Sequence, residues 1–306
     1  MPHEAAKKTV LRVAMAAMAV SGTLSAAKGA VWLAGGSEAM LASLVDSLTD
    51  FGVAVSNFFA MRYALRPADE DHRYGHGKAE GIAALAQAAF IAGSCMFLFL
   101  QSAQALFYPQ APTQVGTSIG VLVFGIFITL ILTRFQSHAV RTTGSLATEA
   151  NALQYSADAA VSIGIIASLL AGKYLGWYWI DPVTAICVGV WLLLSARSVG
   201  KKAINMLLDR ELDETIRQDI MATIRATPGV QGLHDFRTRQ SGLSIHVSFD
   251  IEVDPSLTLE AAHEISRQVE DGILARHKHA EIMIHLDPIG DTTDSRHRHL
   301  KDFHAR

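Results

Sequence analysis

Two pairs of oxygen-bearing side chains stand four residues apart inside apolar stretches of the sequence. Asp46 and Asp50 lie in LVDSLTDFGVAVSNF, and Gln154 and Asp158 lie in LQYSADAAVS. Positions i and i+4 of a helix share a face, about 6 Å apart along the axis, so both members of a pair can reach a common guest. Three carboxylates and one amide oxygen favour Mn²⁺ or Fe²⁺, although Zn²⁺ also accepts carboxylate oxygen. The pattern predicts a divalent-cation site where the two segments meet.

A purely structural explanation of these acids is also available. An ionised Asp at the centre of a bilayer costs about 2.5 to 3.5 kcal/mol. A single Asp could instead lie near a helix end and reach water, or it could pair with Lys28 in the first apolar block. An i,i+4 pair of acids, joined by a third acid in a matching pattern, favours a functional explanation over this one.

The first two-thirds of the chain consists of six apolar blocks, each long enough to cross a hydrocarbon core of about 30 Å as a helix. The first block is too long for a removable signal peptide and is predicted to remain in the protein. Lys and Arg accumulate in alternate loops, which predicts that both termini are cytoplasmic. The predicted spans are Val10–Leu33, Ala39–Tyr63, Ala79–Phe107, Val115–Phe135, Ser145–Leu170 and Tyr178–Val199.

Composition narrows the classes of function. The 26 basic residues are balanced by 29 acidic ones, so nothing indicates a nucleic-acid partner. Cys95 and Cys187 both lie in apolar blocks and are predicted to be small buried hydrophobes rather than a disulfide or a redox pair. The sequence has no GxxxxGK[ST] loop for ATP-driven pumping and no HExxH-like helix for a membrane-embedded metal hydrolase.

After Leu208 the sequence becomes that of a mixed soluble domain. Residues 243–253 alternate apolar and polar side chains, as in a half-buried strand, and a turn at Ser241-Gly242 makes a hairpin with the strand before it. Helices on one face of a small sheet, in αββαβ order, make a compact α+β domain. The predicted elements are helix Glu214–Ala226, strands Val230–Arg239 and Leu243–Val253, helix Leu259–Arg276 and strand Glu281–Leu286.

A loop after the second span carries a second group of candidate ligands. In RPADEDHRYGHGK, His72 and His76 are four residues apart and Asp69 is close by, which fits a surface metal site. The same residues also fit an ordinary basic, polar loop.

A third group of candidate ligands lies in the C-terminal domain. His285 and Asp287 are two apart in a strand and therefore share a face. His234 and Asp250 come from the neighbouring hairpin, and His263 comes from the helix that flanks the sheet. A lone His in such a domain is usually a surface residue, but the convergence of three His and two Asp predicts a metal site.

The chain resembles the cation diffusion facilitator family, most closely its bacterial ferrous-iron and zinc efflux members. The resemblance runs from about Gly22 to Pro288. It implies a homodimer of six-span protomers in the bacterial inner (cytoplasmic) membrane, each exchanging divalent metal for protons by alternating access. The motifs that carry it are GGSEAMLASLVDSLTD, RPADEDHRYGHGKAE, LQYSADAAVS, LLDRELD, LHDFRTRQSG and IHLDP.

Two positions depart from the family pattern. Gln154 and Asp250 stand where the family usually has His, and both changes move a site towards oxygen ligands. Gln cannot titrate, so the resemblance implies that the Asp cluster carries the protons and that selectivity moves towards Fe²⁺ or Mn²⁺. The positions that match the family's ligands are Asp46, Asp50 and Asp158 in the spans, Asp69, His72 and His76 in the loop, and His234, His263, His285 and Asp287 in the cytoplasmic domain.

We therefore expect a multi-pass α-helical membrane protein with six transmembrane helices and a C-terminal cytoplasmic α+β domain of ferredoxin-like αββαβ order. The expected domains are residues 1–208, 209–290 and a disordered His-rich tail, 291–306. The expected function is proton-coupled efflux of Fe²⁺, Mn²⁺ or Zn²⁺ by a transporter, not an enzyme. Divalent metal is its substrate and regulatory ligand, and no prosthetic group is expected. The alternative is a metal-responsive membrane scaffold or sensor without transport, which would not need to keep the three membrane acids.

Overall fold

A computed structural model of the protein describes residues 3–35, 38–107, 115–176 and 179–290. The tail predicted to be disordered, 291–306, lies outside the described residues. The chain forms two compact units, one comprising His3–Ile204 and the other beginning at Asn205.

Six long helices build the first unit, and each coincides with one of the predicted apolar blocks. The fourth and sixth continue past their predicted ends at Phe135 and Val199, because the polar residues that follow there leave the lipid without interrupting the helix. The helices are α1 (His3–Gly35), α2 (Glu38–Ala64), α3 (Lys78–Phe107), α4 (Val115–Thr143), α5 (Leu146–Leu175) and α6 (Ile180–Leu207).

Within the described residues, four of these helices are long and apolar enough to cross a membrane. The segments are Glu4–Ala30, Lys78–Phe107, Val123–Thr143 and Pro182–Leu207. The remaining two long helices, α2 and α5, carry the acidic and amide side chains of the predicted membrane site.

Small residues let the helices approach closely, as is usual in membrane bundles. A Cβ added at Gly22 of α1 would lie 3.0 Å from the ring of Phe51 on α2. A Cβ added at Gly189 of α6 would lie 2.6 Å from the ring of Phe99 on α3. In both helix pairs an aromatic ring occupies the space that the glycine leaves.

The prediction for the two cysteines is confirmed for one and wrong for the other. Cys95 on α3 is 2% exposed and packs with Ile91 and Ala157. Cys187 on α6 is exposed. An apolar block in a membrane protein has an outward face as well as an inward one, so hydropathy alone does not distinguish a buried cysteine from a peripheral one.

The second unit has the predicted αββαβ order. Its elements are α7 (Glu214–Arg225), β1 (Gly232–Ser241), β2 (Ser244–Val253), α8 (Leu259–Arg276) and β3 (Ala280–Pro288). The central strand β2 pairs antiparallel with β1 and parallel with β3. The hairpin turn consists of Gly242 and Leu243, one residue later than predicted, and Gly242 has the positive φ of 60° that favours glycine.

One face of this sheet is apolar and packs under both helices. Phe249 and Ile251 of β2 are buried against Ile220 of α7 and Val269 of α8. The alternation of β2 places His246, Ser248 and Asp250 on the other face. The helices therefore cover one side of the sheet, and polar side chains occupy the opposite side.

Candidate metal sites

The structure places Asp50 and Asp158 near the same point of the helical bundle. Asp50 lies on α2 and Asp158 on α5, both are half-buried, and the two helices are in contact. The negative charges of both acids act on the hydroxyl of Tyr155. Two carboxylates from different helices thus converge, as the membrane site requires. Asp46 lies in α2 one turn from Asp50, but its side chain lies outside the described part of the structure.

Gln154 lies one turn from Asp158 on α5. Its carbonyl oxygen Oε1 is buried and, among the described residues, has no hydrogen-bond partner. An unsatisfied buried acceptor is unusual, because it has lost its water without gaining a donor. The oxygen at position 154 is therefore available to a cation, which would supply the missing partner.

Tyr155 was not predicted as part of this site. Its hydroxyl donates a hydrogen bond to the carbonyl oxygen of Ala17 on α1, at 3.2 Å, and its ring packs with Leu132 of α4. It thereby fastens α5 to two other helices beside the acids. The only sequence signal was a large polar aromatic among the small residues of LQYSADAAVS.

Lys28, the alternative partner considered for the acids, also lies at the α1–α2 contact. Its Nζ donates to the hydroxyl of Ser47 at 2.6 Å, and the Ser25 hydroxyl donates to the Ser47 carbonyl oxygen at 2.8 Å. The ammonium group of Lys28 is thus held by Ser47, the residue that follows Asp46 in the sequence.

The residues Asp69, His72 and His76, in the loop between α2 and α3, are brought together in the structure. Their ligand atoms all lie within 4.8 Å of one another. Asp69 Oδ1 is 3.2 Å from His72 Nδ1, and Asp69 Oδ2 is 3.2 Å from His76 Nε2. We name these three residues the loop cluster. Two imidazoles and one carboxylate are three ligands of the kind that Zn²⁺ and related cations accept.

The loop cluster lies at the surface only in part, because Asp69 and His72 are exposed and His76 is buried. The segment is a series of turns, in which the backbone N–H of His72 donates to Asp69 Oδ1 at 2.7 Å. This hydrogen bond lowers the pKa of Asp69 below its ordinary value. His76 is 6% exposed, and its Nδ1 has no hydrogen-bond partner in the described chain. The turn gathers the three ligands.

In the C-terminal unit, strand register aligns three of the predicted ligands in one row across the sheet. His234 of β1 faces Asp250 of β2, which in turn faces His285 of β3. Asp287 joins them from two residues further along β3: its carboxylate lies 3.3 Å from His234 Nε2 and 3.2 Å from His285 Nε2. We name these four residues the sheet cluster. It offers two imidazoles and two carboxylates on the face that the helices leave open.

Two acids beside the sheet cluster were missed in the sequence. Asp235 groups with His234 and Asp250, with ligand atoms within 4.8 Å of one another. It sits where the β1–β2 register shifts, at a positive φ of 50° that Asp tolerates better than most residues. Glu252 Oε1 lies 3.7 Å from His234 Nε2. The alternation of β2 could have indicated Glu252, but the irregularity that redirects Asp235 has no sequence signature.

His263 is not brought to the sheet cluster within one protomer. It is exposed on α8, and α8 packs against the apolar face of the sheet. Among the described residues, no group of three ligand atoms within 4.8 Å of one another includes it. Its role as a ligand stays a prediction.

Replacing Asp250 with Asn is expected to stabilise the metal-free domain at neutral pH by about 0.5 to 1 kcal/mol. The Asp250 side chain is only 14% exposed, and this burial raises the pKa of its carboxyl. The folded state therefore holds this proton more tightly than the unfolded state, so the wild type loses stability as pH rises from about 4 through the folded pKa. Urea denaturation of residues 205–290 at pH 4 and pH 7 measures the gain, which should appear only at pH 7.

The matched control for this prediction is Asp254→Asn. Hydrogen bonds from the side chain and backbone of Ser256 lower the pKa of Asp254. Its contribution to stability is present above the unfolded pKa and is lost as pH falls, so the same substitution there should destabilise at pH 7. If both substitutions changed the free energy of unfolding at pH 7 in the same direction, the opposite pKa shifts of Asp250 and Asp254 would be contradicted.

Glu80, at the start of α3, caps the helix that carries Gln154 and Asp158. Its carboxylate is 1% exposed, and Oε1 accepts a hydrogen bond from the backbone N–H of Ala147 at 3.3 Å. Ala147 is in the first turn of α5, where unpaired N–H groups and the helix dipole favour a negative charge. Glu80 therefore fixes the N-terminal end of α5 against α3.

Replacing Glu80 with Leu is expected to weaken the fold by about 1 to 3 kcal/mol, because the buried backbone N–H of Ala147 loses its hydrogen-bond acceptor. Thermal unfolding of the purified protein in detergent measures the effect. Glu149→Leu is the control, since Glu149 also lies in the first turn of α5 but pairs with Lys202 at the surface. We expect less than about 0.5 kcal/mol there. Equal losses would argue against a special role for Glu80.

Comparison with known proteins places the chain in a family. Residues 14–208 match the family described as cation efflux transmembrane domain, and residues 212–289 match the cation efflux protein, cytoplasmic domain. The cation-efflux pumps FieF of Salmonella schwarzengrund and Salmonella agona are each 42% identical over 281 residues, which is 92% of this chain and 93% of theirs.

Solved structures of C-terminal domains are also similar to part of the chain. The metal-bound C-terminal domain of the CzcD transporter from Thermotoga maritima is 29% identical, with a TM-score of 0.25, covering 26% of this chain and 99% of that one. A nickel form of a MamM C-terminal domain is 28% identical, with a TM-score of 0.24, covering 25% and 98%. By the matches to both family domains and to relatives over most of its length, the chain belongs to the cation diffusion facilitator family and is a membrane transporter of cations rather than an enzyme.

Proposed function

We propose that the protein exports a divalent cation from the cytoplasm in exchange for protons, by alternating access. The observation that carries the proposal is the convergence of Asp50 and Asp158 on Tyr155, beside the unsatisfied carbonyl oxygen of Gln154. Acids in a membrane bundle are costly and mark ion pathways. Relatives named cation-efflux pumps, 42% identical over most of the chain, support the direction of transport.

The ligand set favours Fe²⁺ or Mn²⁺ over Zn²⁺. Carboxylate and amide oxygens are harder ligands than imidazole, and Gln154 and Asp250 both supply oxygen. The ligand set also admits Zn²⁺ as a substrate, because Zn²⁺ binds carboxylates as well.

Protons are carried by the acids themselves in this proposal. Gln154 has no titratable group, so the counter-ion must bind to Asp46, Asp50 or Asp158 when the metal leaves. Repulsion between neighbouring carboxylates favours proton uptake at that moment. Metal and protons then compete for the same oxygens, which couples their fluxes.

The arrangement in the membrane follows from the loops. All six long helices span the bacterial inner membrane in this proposal, α2 and α5 included, since these two, at 27 and 30 residues, are also long enough to cross it. The Lys and Arg of alternate loops keep both termini, the loop cluster and the C-terminal domain in the cytoplasm. Two protomers form a homodimer, and metal at the sheet cluster acts as a regulatory ligand of this domain.

Uptake into proteoliposomes under an imposed proton gradient tests the proposal. Vesicles carrying the purified protein and an internal metal indicator should take up Fe²⁺ or Mn²⁺ faster than Zn²⁺, Co²⁺ and Cd²⁺, and collapse of the gradient should abolish uptake beyond equilibration. Metal binding without uptake in any of these conditions would instead support the alternative of a metal-responsive scaffold or sensor.

A further inference from the structure

A cleft of about 740 Å³ runs between α2 and α3, and most of its lining is apolar. On α2 the lining residues extend from Thr49 to Tyr63, about 21 Å at 1.5 Å per residue. Small side chains leave the space: a Cβ added at Gly52, which lines the cleft, would meet no neighbouring element within 4 Å among the described residues. Ile82 of α3, also in the lining, is 60% exposed, so the cleft opens at the side of the bundle.

The dimensions of the cleft fit a hydrocarbon chain. One leaflet contributes about 15 Å to a hydrocarbon core of about 30 Å, so the lining of α2 is long enough to hold an acyl chain over the whole depth of a leaflet. An unfilled apolar cleft would leave its lining without van der Waals partners on one side. Within a bilayer, lipid tails are the apolar groups at hand to supply those contacts.

Basic side chains gather at one end of the cleft. Tyr63 and Ala79 are the lining residues nearest to the loop between α2 and α3. The guanidinium carbon of Arg66 lies over the Tyr63 ring, 5.4 Å from its centroid, and Arg66 is exposed. Arg62 precedes Tyr63 in the sequence, and Lys78 precedes Ala79. The apolar cleft therefore ends beneath a group of cations.

The acids near this end do not neutralise Arg66. Both carboxylate oxygens of Asp69 face the imidazoles of the loop cluster, at 3.2 Å each. Glu80 is buried against the start of α5, and Glu70 and Asp71 are exposed in the loop. Among the described residues, Arg66 forms no ion pair with any of these four. Its charge is thus directed to a partner outside the described chain.

We propose that an anionic phospholipid binds here, with one acyl chain in the α2–α3 cleft and its phosphate at Arg66. The inference rests on the placement of α2 and α3 in the bilayer under the proposed function, but not on transport itself. Arg recognises phosphate by paired hydrogen bonds, and Arg62 and Lys78 add positive charge at the same end. Basic pockets between transmembrane helices are a known type of site for anionic headgroups, and Tyr is typical of the headgroup level.

A second copy of the protein fits this cleft less well than a lipid. Two copies with the same orientation in the membrane, related by a two-fold axis along the bilayer normal, bring residues of equal depth together. A contact across the cleft would therefore place Arg62 and Arg66 of one protomer near the same residues of its partner. Like charges repel there, whereas a phosphate attracts all of them.

Native mass spectrometry of the whole chain in detergent tests the phosphate end of the site. Phosphatidylglycerol should be retained at one molecule per protomer, about tenfold more tightly than phosphatidylcholine with the same acyl chains. Arg66→Gln should lower the affinity for phosphatidylglycerol roughly fivefold, the effect of one basic residue near a membrane surface, and leave that for phosphatidylcholine unchanged. Arg73→Gln is the matched control, because Arg73 is exposed in the same loop but neither lines the cleft nor stacks on Tyr63. Its affinities should equal those of the wild type.

Ala83→Phe tests the acyl-chain end separately. Ala83 lines the cleft, and a phenyl ring there should fill it and abolish retention of phosphatidylglycerol. Ala89→Phe is the matched control, because Ala89 is exposed on the same helix outside the cleft, and this variant should retain the lipid. Binding of inorganic phosphate alone would not depend on Ala83, so the loss distinguishes a lipid from a free anion.

Equal retention of the two phospholipids would overturn the lipid site, and so would equal affinities of Arg66→Gln and Arg73→Gln for phosphatidylglycerol. These outcomes decide the question even if Ala83→Phe does not fold. A loss of dimer rather than of lipid in Ala83→Phe would instead assign the cleft to a second copy. Intact lipid binding without metal uptake by the wild type in proteoliposomes would contradict the proposed transport function alone.

Discussion

Asp50→Asn should reduce proton-driven metal uptake at least about 100-fold, since even the loss of a residue that only hydrogen-bonds to a metal ligand costs roughly 10 to 100-fold. The substitution keeps the size of the side chain and leaves α2 without one of its two aspartates. It removes both a charged ligand and a proton carrier, so metal binding and coupling fail together. The measurement is the initial rate of Fe²⁺ or Mn²⁺ uptake into proteoliposomes under a fixed proton gradient.

Asp71→Asn is the control for this experiment. Asp71 is exposed in the loop between α2 and α3 and is not a member of the loop cluster, so the same chemical change there should leave uptake intact. A normal thermal unfolding temperature for Asp50→Asn would show that the loss is functional rather than structural. Retained uptake by Asp50→Asn would contradict the membrane site.

Gln154→His should move the metal preference towards Zn²⁺. The substitution replaces a hard amide oxygen with an imidazole nitrogen, the ligand that Zn²⁺ accepts readily. We expect the ratio of Zn²⁺ to Mn²⁺ uptake rates to rise roughly tenfold, about 1.4 kcal/mol of differential binding. The imidazole also titrates near pH 6.5, so uptake should gain a new dependence on pH between about 5.5 and 7.5.

Gln154→Asn controls for the change of shape at this position. It keeps an amide oxygen but withdraws it by one methylene, so uptake should slow while the order of metal preference stays the same. The proposal would fail if Gln154→His left that order unchanged, because the ligand at position 154 would then not determine selectivity.

Local patterns in the sequence were sufficient to predict the elements of the fold. α8 begins and ends at the predicted residues, since the Thr258 side chain caps its first turn, accepting from Ala261 N–H, and the apolar periodicity ends with it. The faces of β2 followed from simple alternation. The predictions failed where the backbone is irregular. Neither the register shift beside Asp235 nor the turn that gathers the loop cluster produces a periodic pattern in the sequence.

Exposure was harder to predict than secondary structure. Cys187 and Cys95 lie in equally apolar blocks, yet only Cys95 faces another helix. His76 was expected at the surface and is buried beside Tyr63. In each case the outcome depends on which element packs against the residue, and that neighbour is distant in the chain.

By itself, the sequence determined which types of side chain this protein has and which of them share a face of a helix or strand. One turn of helix separates Asp46 from Asp50 and Gln154 from Asp158 whatever the tertiary structure, because helical geometry is a property of the local backbone. Only the tertiary structure decided which faces meet. It brought α2 against α5, aligned His234, Asp250 and His285 in one row, left His263 on the other side of the sheet, and opened a cleft between α2 and α3. Contacts between distant segments depend on how whole surfaces pack, which no local pattern specifies.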